Sequence, residues 1–369
     1  MQQKIPIENL YYLLCYAWGV SDQLDKVKVD GEKCHSLENL LSMVLLNVCD
    51  RLLRQGLVRE YRYEEQEVEG IRGKLNLAET LKSGKYLYGQ TICQVDELTQ
   101  DVVINRVIFS TLKRLMRIEG IDENIRVRLR KTLARFPHIA EIRVTEGLLG
   151  RLLRHLPGRF QGHRQNGVYS LALNVCKLIW ESTLPIKGKD GRLEFVDFTE
   201  DEFRMNCIFE RFLMNFCKLN CREEFPEVHR EYIDFQLSPF GMMFKEAGEA
   251  LPMMETDVTL FNPATQEKLI LDAKFYREAL VSKYGGKEKL RREHLSQILS
   301  YVMNQEDRSK PHTLNACGAL VYPTVDEDFD FSYRYKETGH RIYVRTVNLG
   351  QPWRKIEERV KEIVKGGWG

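Results

Sequence analysis

Two strand-like runs in the last third of the chain flank a single turn, and this pairing limits the fold more than anything else in the sequence. The runs are residues 251–260 (LPMMETDVTL) and 268–276 (KLILDAKFY). Between them stands Asn262-Pro263-Ala264-Thr265, a cluster of turn formers. An antiparallel hairpin about Ala264 and Thr265 sets Asp257 opposite Asp272, because the two numbers sum to the same value as the turn pair. Side chains alternate faces along a strand, so Asp272 and Lys274 point one way and Ala273 the other. One face of the hairpin then carries two carboxylates and an ammonium. Leu269-Ile270-Leu271 reads as a buried strand that ends abruptly in charge, so these groups sit where a core strand emerges.

Such a trio suits phosphodiester hydrolysis, in which water attacks phosphorus while charge builds on the phosphate oxygens. Mg²⁺ fits this chemistry, since it takes one or two protein carboxylates and keeps positions open for water and substrate. Asp257 and Asp272 are the expected ligands, and Ala273 is expected to add its backbone carbonyl. Lys274 is expected to orient or deprotonate the attacking water and to stabilise charge on the phosphate. Glu210, an acid in an otherwise apolar helical segment, is a further candidate ligand. Gln297 and Tyr301 lie four apart and project from one helical face, within reach of a metal-bound water and a phosphate. Each has a blander reading alone: Glu210 as a partner of Arg211 or Arg204, Tyr301 as a half-buried core aromatic. His294, one turn before Gln297, reads as a solvated histidine.

At 369 residues the chain has room for two domains. No apolar run approaches the ~20 residues of a membrane span, and the first twenty residues lack a small-residue cleavage site, which argues against a signal peptide. The nine cysteines are scattered with no CxxC pair, as expected of reduced cytoplasmic thiols. Cys217 and Cys221, four apart, read as two buried small side chains rather than a metal site. Net charge is only +2, but Arg and Lys are dense between Lys113 and Arg164. That stripe suits phosphates, or is a solvated face balanced by Glu119, Asp122, Glu123 and Glu141.

Apolar spacing predicts helices over 5–20, 36–55, 101–119 and 124–135, with Asp101 as an N-cap, and a strand over 58–68. A basic Pro/Gly stretch at 155–163 interrupts the pattern, and a domain boundary is placed there, dividing 1–165 from 166–369. Beyond it the expected order is helix 169–182, a Gly/Lys loop at 187–191, helix 202–220, strand 229–236, the hairpin, helix 288–305, and strands 316–322 and 341–348. This is an α/β chain, α+β overall.

Asp257, Asp272-Ala273-Lys274, Gln297 and Tyr301 together resemble the PD-(D/E)XK nuclease superfamily, in the branch whose helix carries Q-x-x-x-Y. Pro252 is offset from the first acid. Ile5-Pro6-Ile7-Glu8-Asn9-Leu10-Tyr11-Tyr12, Ile71-Arg72-Gly73-Lys74, Asp101 with Asn105-Arg106, and Tyr322-Pro323 resemble the McrC family over nearly the whole length. The resemblance implies an N-terminal mixed α/β domain that plugs into an McrB-like AAA+ GTPase ring and stimulates GTP hydrolysis. It also implies a C-terminal restriction-endonuclease-like domain, a central mixed sheet flanked by helices, that cuts modified double-stranded DNA. Double-strand cleavage would pair two nuclease domains. Arg72 and Lys74 are candidate contacts to the ring. No Walker A pattern is present, since Gly285-Gly286-Lys287 lacks its first Gly and its Ser/Thr, so no nucleotide is expected on this chain. Two other readings stand beside this one: a nuclease serving another motor or repair complex, and a non-catalytic activator of a ring NTPase.

Overall fold

The hairpin forms in the expected register. In the computed structural model Glu267 pairs with Asn262 and Leu271 with Val258, the alignment that sets Asp257 against Asp272. Asn262 makes the turn: its Oδ1 accepts from the N–H of Ala264 (2.9 Å) and Thr265 (3.2 Å), an Asx-type turn, and its carbonyl accepts from the Gln266 N–H at 2.8 Å. The structure describes residues 4–24, 36–136, 138–159, 166–186, 191–238, 250–275, 280–281, 289–325 and 328–366. Tyr276, Gly285-Gly286-Lys287, most of the 187–191 loop and the end of the 155–163 stretch lie outside them.

The elements run α1 (Ile7–Ala17), α2 (Leu37–Gln55), β1 (Glu60–Glu69), β2 (Lys74–Leu75), α3 (Leu77–Ser83) and β3 (Gln90–Thr99). Then come α4 (Val103–Leu115), α5 (Glu123–Leu133), α6 (Glu146–Arg159), α7 (Asn166–Glu181), β4 (Thr183–Pro185), β5 (Leu193–Phe195) and α8 (Glu202–Asn220). Strands β6 (Glu227–His229), β7 (Tyr232–Ile233), β8 (Met254–Glu255), β9 (Val258–Asn262), β10 (Glu267–Ala273), β11 (Leu280–Val281) and β12 (Lys289–Leu290) follow. The chain closes with α9 (Arg292–Asn304), α10 (Pro311–Leu314), β13 (Cys317–Thr324), β14 (Asp330–Arg334), β15 (Arg341–Asn348) and α11 (Trp353–Lys365).

Two units emerge. One is Leu41–Val196; the other joins Met1–Leu40 to Asp197–Gly369. These units and the expected 1–165/166–369 division differ in where α1 and α7 fall. Tyr16 of α1 packs edge-on against Phe212 of α8, and Asn9 donates to the carbonyls of Leu349 (2.7 Å) and Gln351 (2.8 Å), so α1 joins the C-terminal unit. Tyr169 of α7 donates to Asn105 and accepts from the Val58 N–H, and Trp180 donates to Thr111, which keeps α7 with the preceding helices.

The second unit is built on a mixed sheet, ordered β14-β15-β13-β10-β9-β6. Strands β10, β13 and β15 run parallel, with antiparallel strands at both edges. Odd-numbered residues of β10 (Leu269, Leu271, Ala273) join the core built by α1, α8 and α11. Ile270, on the other face, packs with Ile298, Tyr301 and Val302 of α9. A strand covered on both faces needs the near-continuous apolar run seen in the sequence. Helix α9 lies close on β13 because Gly318 has no side chain: a Cβ there would stand 2.6 Å from Ile298 Cγ1.

In the other unit β1, β3 and β2 form an antiparallel sheet. Gly73 sits at φ +80° where a Cβ would meet the Gln94 carbonyl oxygen at 2.4 Å, so only glycine fits between the exposed Arg72 and Lys74. Three expectations are corrected here. Asp101 does not cap α4, whose cap is Val102; its carboxylate is taken by Arg106 and by the Ala140 N–H instead. Pro157 and Gly158 do not break the chain before 159, since α6 runs through them. The expected strand 229–236 is two pieces: β6 belongs to the main sheet, while β7 pairs with β8. Of the basic residues between 113 and 164, several are engaged within the unit. Arg126 donates to three carbonyls, Arg128 and Arg135 meet Asp50, and Lys113 meets Glu141.

Candidate active site

Asp272 is the second-last residue of β10 and shares the α9-facing side with Ile270. Its side chain is 0% exposed. Burial, with the charges of Asp257 and Glu210 added, raises its carboxyl to about 7 against the pull of Lys274. Lys274 Nζ forms an ion pair with Asp272 Oδ2 at 2.8 Å. Asp272 Oδ1 has no hydrogen-bond partner among the described residues. Asp257, just ahead of β9, turns Oδ2 to the Ala273 N–H at 2.8 Å, and burial raises its carboxyl too. The Lys274 N–H continues the ladder to the Val321 carbonyl, which holds the side chain at the strand end.

A chain of bonds fixes the ammonium. Lys274 donates to Gln297 Oε1 (3.0 Å), Gln297 donates to the Tyr301 hydroxyl (2.7 Å), and Tyr301 donates to the Glu255 carbonyl (2.9 Å). The i, i+4 spacing on α9 puts Gln297 and Tyr301 on one face, and the chain of bonds ends on the backbone just before Asp257. Tyr301 is buried and its hydroxyl is pushed up by that burial. His294 is not solvated: it is buried, bonded through Nδ1 to the Tyr322 hydroxyl at 2.8 Å, and lowered to about 4 by burial and then by Lys274.

Glu210 projects from α8 beside this group. Burial raises its carboxyl, and the Asp257 charge adds to the rise. Its partners are Asn206, one turn earlier, and Arg230 at 3.4 Å; the sequence suggested Arg211 or Arg204. Arg230 also meets Glu255 at 3.0 Å, and Asn206 accepts from the Phe275 N–H at 2.7 Å. Asn206, Arg230 and Glu255 were not singled out from the sequence. Asn206 had a local signal, one turn before Glu210; Arg230 and Glu255 meet through pairing between separated segments. Among the described residues no set of three or more His, Cys, Asp or Glu side chains is gathered as a ready-made ion cage. Cys217 and Cys221 are buried free thiols in the α8 core. No helix among the described residues is long and apolar enough to cross a membrane.

These features define a mixed α/β protein in which the central strand β10 and its antiparallel neighbour β9 bring an acid pair and an anchored lysine to one sheet end. The chain belongs to the McrBC 5-methylcytosine restriction system component family, whose model matches residues 3–323. It is 30% identical over 362 residues to the type IV methyl-directed restriction enzyme EcoKMcrBC of Escherichia coli K12, covering 98% of both chains. Among solved structures it is similar to a chain of a Thermococcus gammatolerans assembly of McrB AAA+ hexamers with bound McrC. The TM-score is 0.57 at 16% identity, over 98% of this chain and 76% of that one, which shows the shared fold.

Proposed function

We propose that the protein is the Mg²⁺-dependent endonuclease subunit of a modification-dependent (type IV) restriction system, with a PD-(D/E)XK active site. The observation that carries this reading is Asp272: a fully buried carboxylate paired with Lys274 at 2.8 Å and set among the like charges of Asp257 and Glu210. One ammonium offsets one carboxylate, and ionising the other buried acids beside it is costly unless a further cation joins them. The donor set suits Mg²⁺, since hard carboxylate and carbonyl oxygens are what it prefers. Asp257, Asp272 and the Ala273 carbonyl would hold it, with Glu210 as an additional acid. When bound, the ion supplies Lewis-acid polarisation of the phosphate and a more acidic attacking water.

The chain's own residues do the rest. Lys274 spends one donor on Gln297 and its charge on Asp272, which leaves ammonium hydrogen to meet a phosphate oxygen or the attacking water. Gln297 and Tyr301 keep that ammonium aimed. The relatives support a partner: the curated one is an McrBC enzyme, and the solved assembly holds McrC on McrB AAA+ hexamers. By analogy this chain works in the cytoplasm with an McrB-like GTPase ring, which supplies translocation, and pairs its nuclease domain to cut both strands of modified DNA. Arg72 and Lys74 stand as contacts to that ring. The test is cleavage of methylated and unmethylated DNA by the chain with its McrB-like partner, with and without GTP and Mg²⁺. Cleavage that needs methylation, GTP and Mg²⁺ supports the reading. Stimulated GTP hydrolysis without scission in any divalent metal overturns it in favour of a non-catalytic activator.

A further inference from the structure

The polar contacts around Asp257 close on themselves except at one guanidinium. From Phe275 the path runs through Asn206 to Glu210, across Arg230 to Glu255, and back through Tyr301, Gln297 and Lys274 to Asp272. Arg230 lies between β6 and β7 and is the bridging cation. Its two contacts are unequal: 3.0 Å to Glu255 Oε1, which is 41% exposed, and 3.4 Å to Glu210 Oε2, which is 19% exposed. The firm anchor is the acid nearer solvent, and the loose grip is on the acid beside the acid pair. Arg230 pairs with Glu210 and Glu255 and Lys274 with Asp272, while Asp257 has, among the described residues, only the Ala273 N–H. With all four acids ionised, two negative charges are left unmatched by these two cations.

Resting on the nuclease reading, we propose that Arg230 is a placeholder cation. It holds Glu210 off the ion position while that position is open, stays fixed on Glu255, and exchanges Glu210 for a DNA phosphate when Mg²⁺ enters. Three features fit this role. Guanidinium presents a planar fork of donors that suits a carboxylate and a phosphate alike. The side chain is 40% exposed, so an incoming strand can reach it. And Glu210 has a second holder in Asn206 on its own helix, so releasing Arg230 does not cast it adrift.

A placeholder competes with the metal, and a structural brace supports it, so the two roles move metal affinity in opposite directions. Mn²⁺ binding to the full chain without DNA is read by isothermal titration calorimetry, and cleavage is read with the McrB-like partner. Arg230→Gln removes the charge and is expected to tighten Mn²⁺ binding by about tenfold, the effect of one unit charge several ångströms from a divalent ion in a hydrated site. The same variant is expected to cut DNA at least about tenfold more slowly at saturating metal, having lost its phosphate contact. Arg230→Lys keeps the charge without the fork, so metal affinity stays near wild type while cleavage falls. Unchanged or weaker Mn²⁺ binding in Arg230→Gln overturns the inference and leaves the nuclease reading standing. A wild-type chain that neither binds Mn²⁺ nor cuts overturns both. Should Arg230→Gln fail to fold, Arg230→Met keeps the aliphatic stem and gives the same readout.

Discussion

Asp272→Asn should end cleavage and at the same time make the metal-free protein more stable at pH 8. Burial raises the Asp272 carboxyl from 3.8 to about 7. A carboxyl that holds its proton more tightly when folded gives stability that is complete below about pH 4 and is lost as pH rises through about 7. At about 1.4 kcal/mol per pH unit, the ionised group costs the folded state about 4 kcal/mol by pH 8. Asn resembles the protonated acid and avoids that cost, but its amide brings a second N–H that the carboxyl did not have, and leaving it unpaired returns about 1–3 kcal/mol. The net gain is about 2 kcal/mol, or about 5 °C in the Tm of the unit that carries the site. Calorimetry of wild type and variant in chelator, from pH 4 to 8, measures it. The variant's advantage should grow with pH, cross zero near about pH 5 where the ionisation cost equals the amide penalty, and turn into a deficit of about 1–3 kcal/mol near pH 4. Parallel pH profiles, or a variant less stable than wild type at pH 8, would refute the reasoning.

Other outcomes follow from the same geometry. Lys274→Ala should abolish cleavage and lower the melting temperature at neutral pH, because it takes the ion-pair partner from the buried Asp272. Gln297→Ala should slow cleavage by about 10–100-fold by freeing the ammonium, with a melting temperature near wild type. Gly318→Ala pushes a Cβ to 2.6 Å from Ile298 Cγ1, so it should destabilise by about 1–3 kcal/mol and slow cleavage by displacing α9. Adding Ile298→Ala should recover part of both losses. Gly73→Ala should destabilise the N-terminal sheet by about 2 kcal/mol, through its positive φ and the Gln94 carbonyl, in a melt followed by circular dichroism. Chelation of divalent metal should stop scission while leaving the secondary structure intact.

The site was legible where the signal is local. A turn with Asn262 at its corner fixes the register of its two strands, and that register alone places Asp257 by Asp272. Gln297 and Tyr301 are one helical turn apart, so their shared face could be read in advance, whereas their bonds to Lys274 and to the Glu255 carbonyl could not. What escaped depends on distant partners. Arg230 meets Glu255 only because β7 pairs with β8, and that pairing follows a break after His229 that no propensity marks. Asp101 had the position of a cap, but Arg106 and the Ala140 N–H took its carboxylate. His294 has polar neighbours in sequence and reads as solvated, yet Tyr322 of β13 draws it inside. The N-terminal helix pairs with α8 through Tyr16 and Phe212, a contact across nearly two hundred residues that periodicity does not encode.

The most direct measurement is strand scission of methylated DNA by wild type, Asp272→Asn and Lys274→Ala, each with the McrB-like partner, GTP and Mg²⁺. If the acid pair and its lysine form the active site, wild type cuts, and both variants stimulate GTP hydrolysis normally without cutting. Either variant cutting at the wild-type rate would place the chemistry elsewhere.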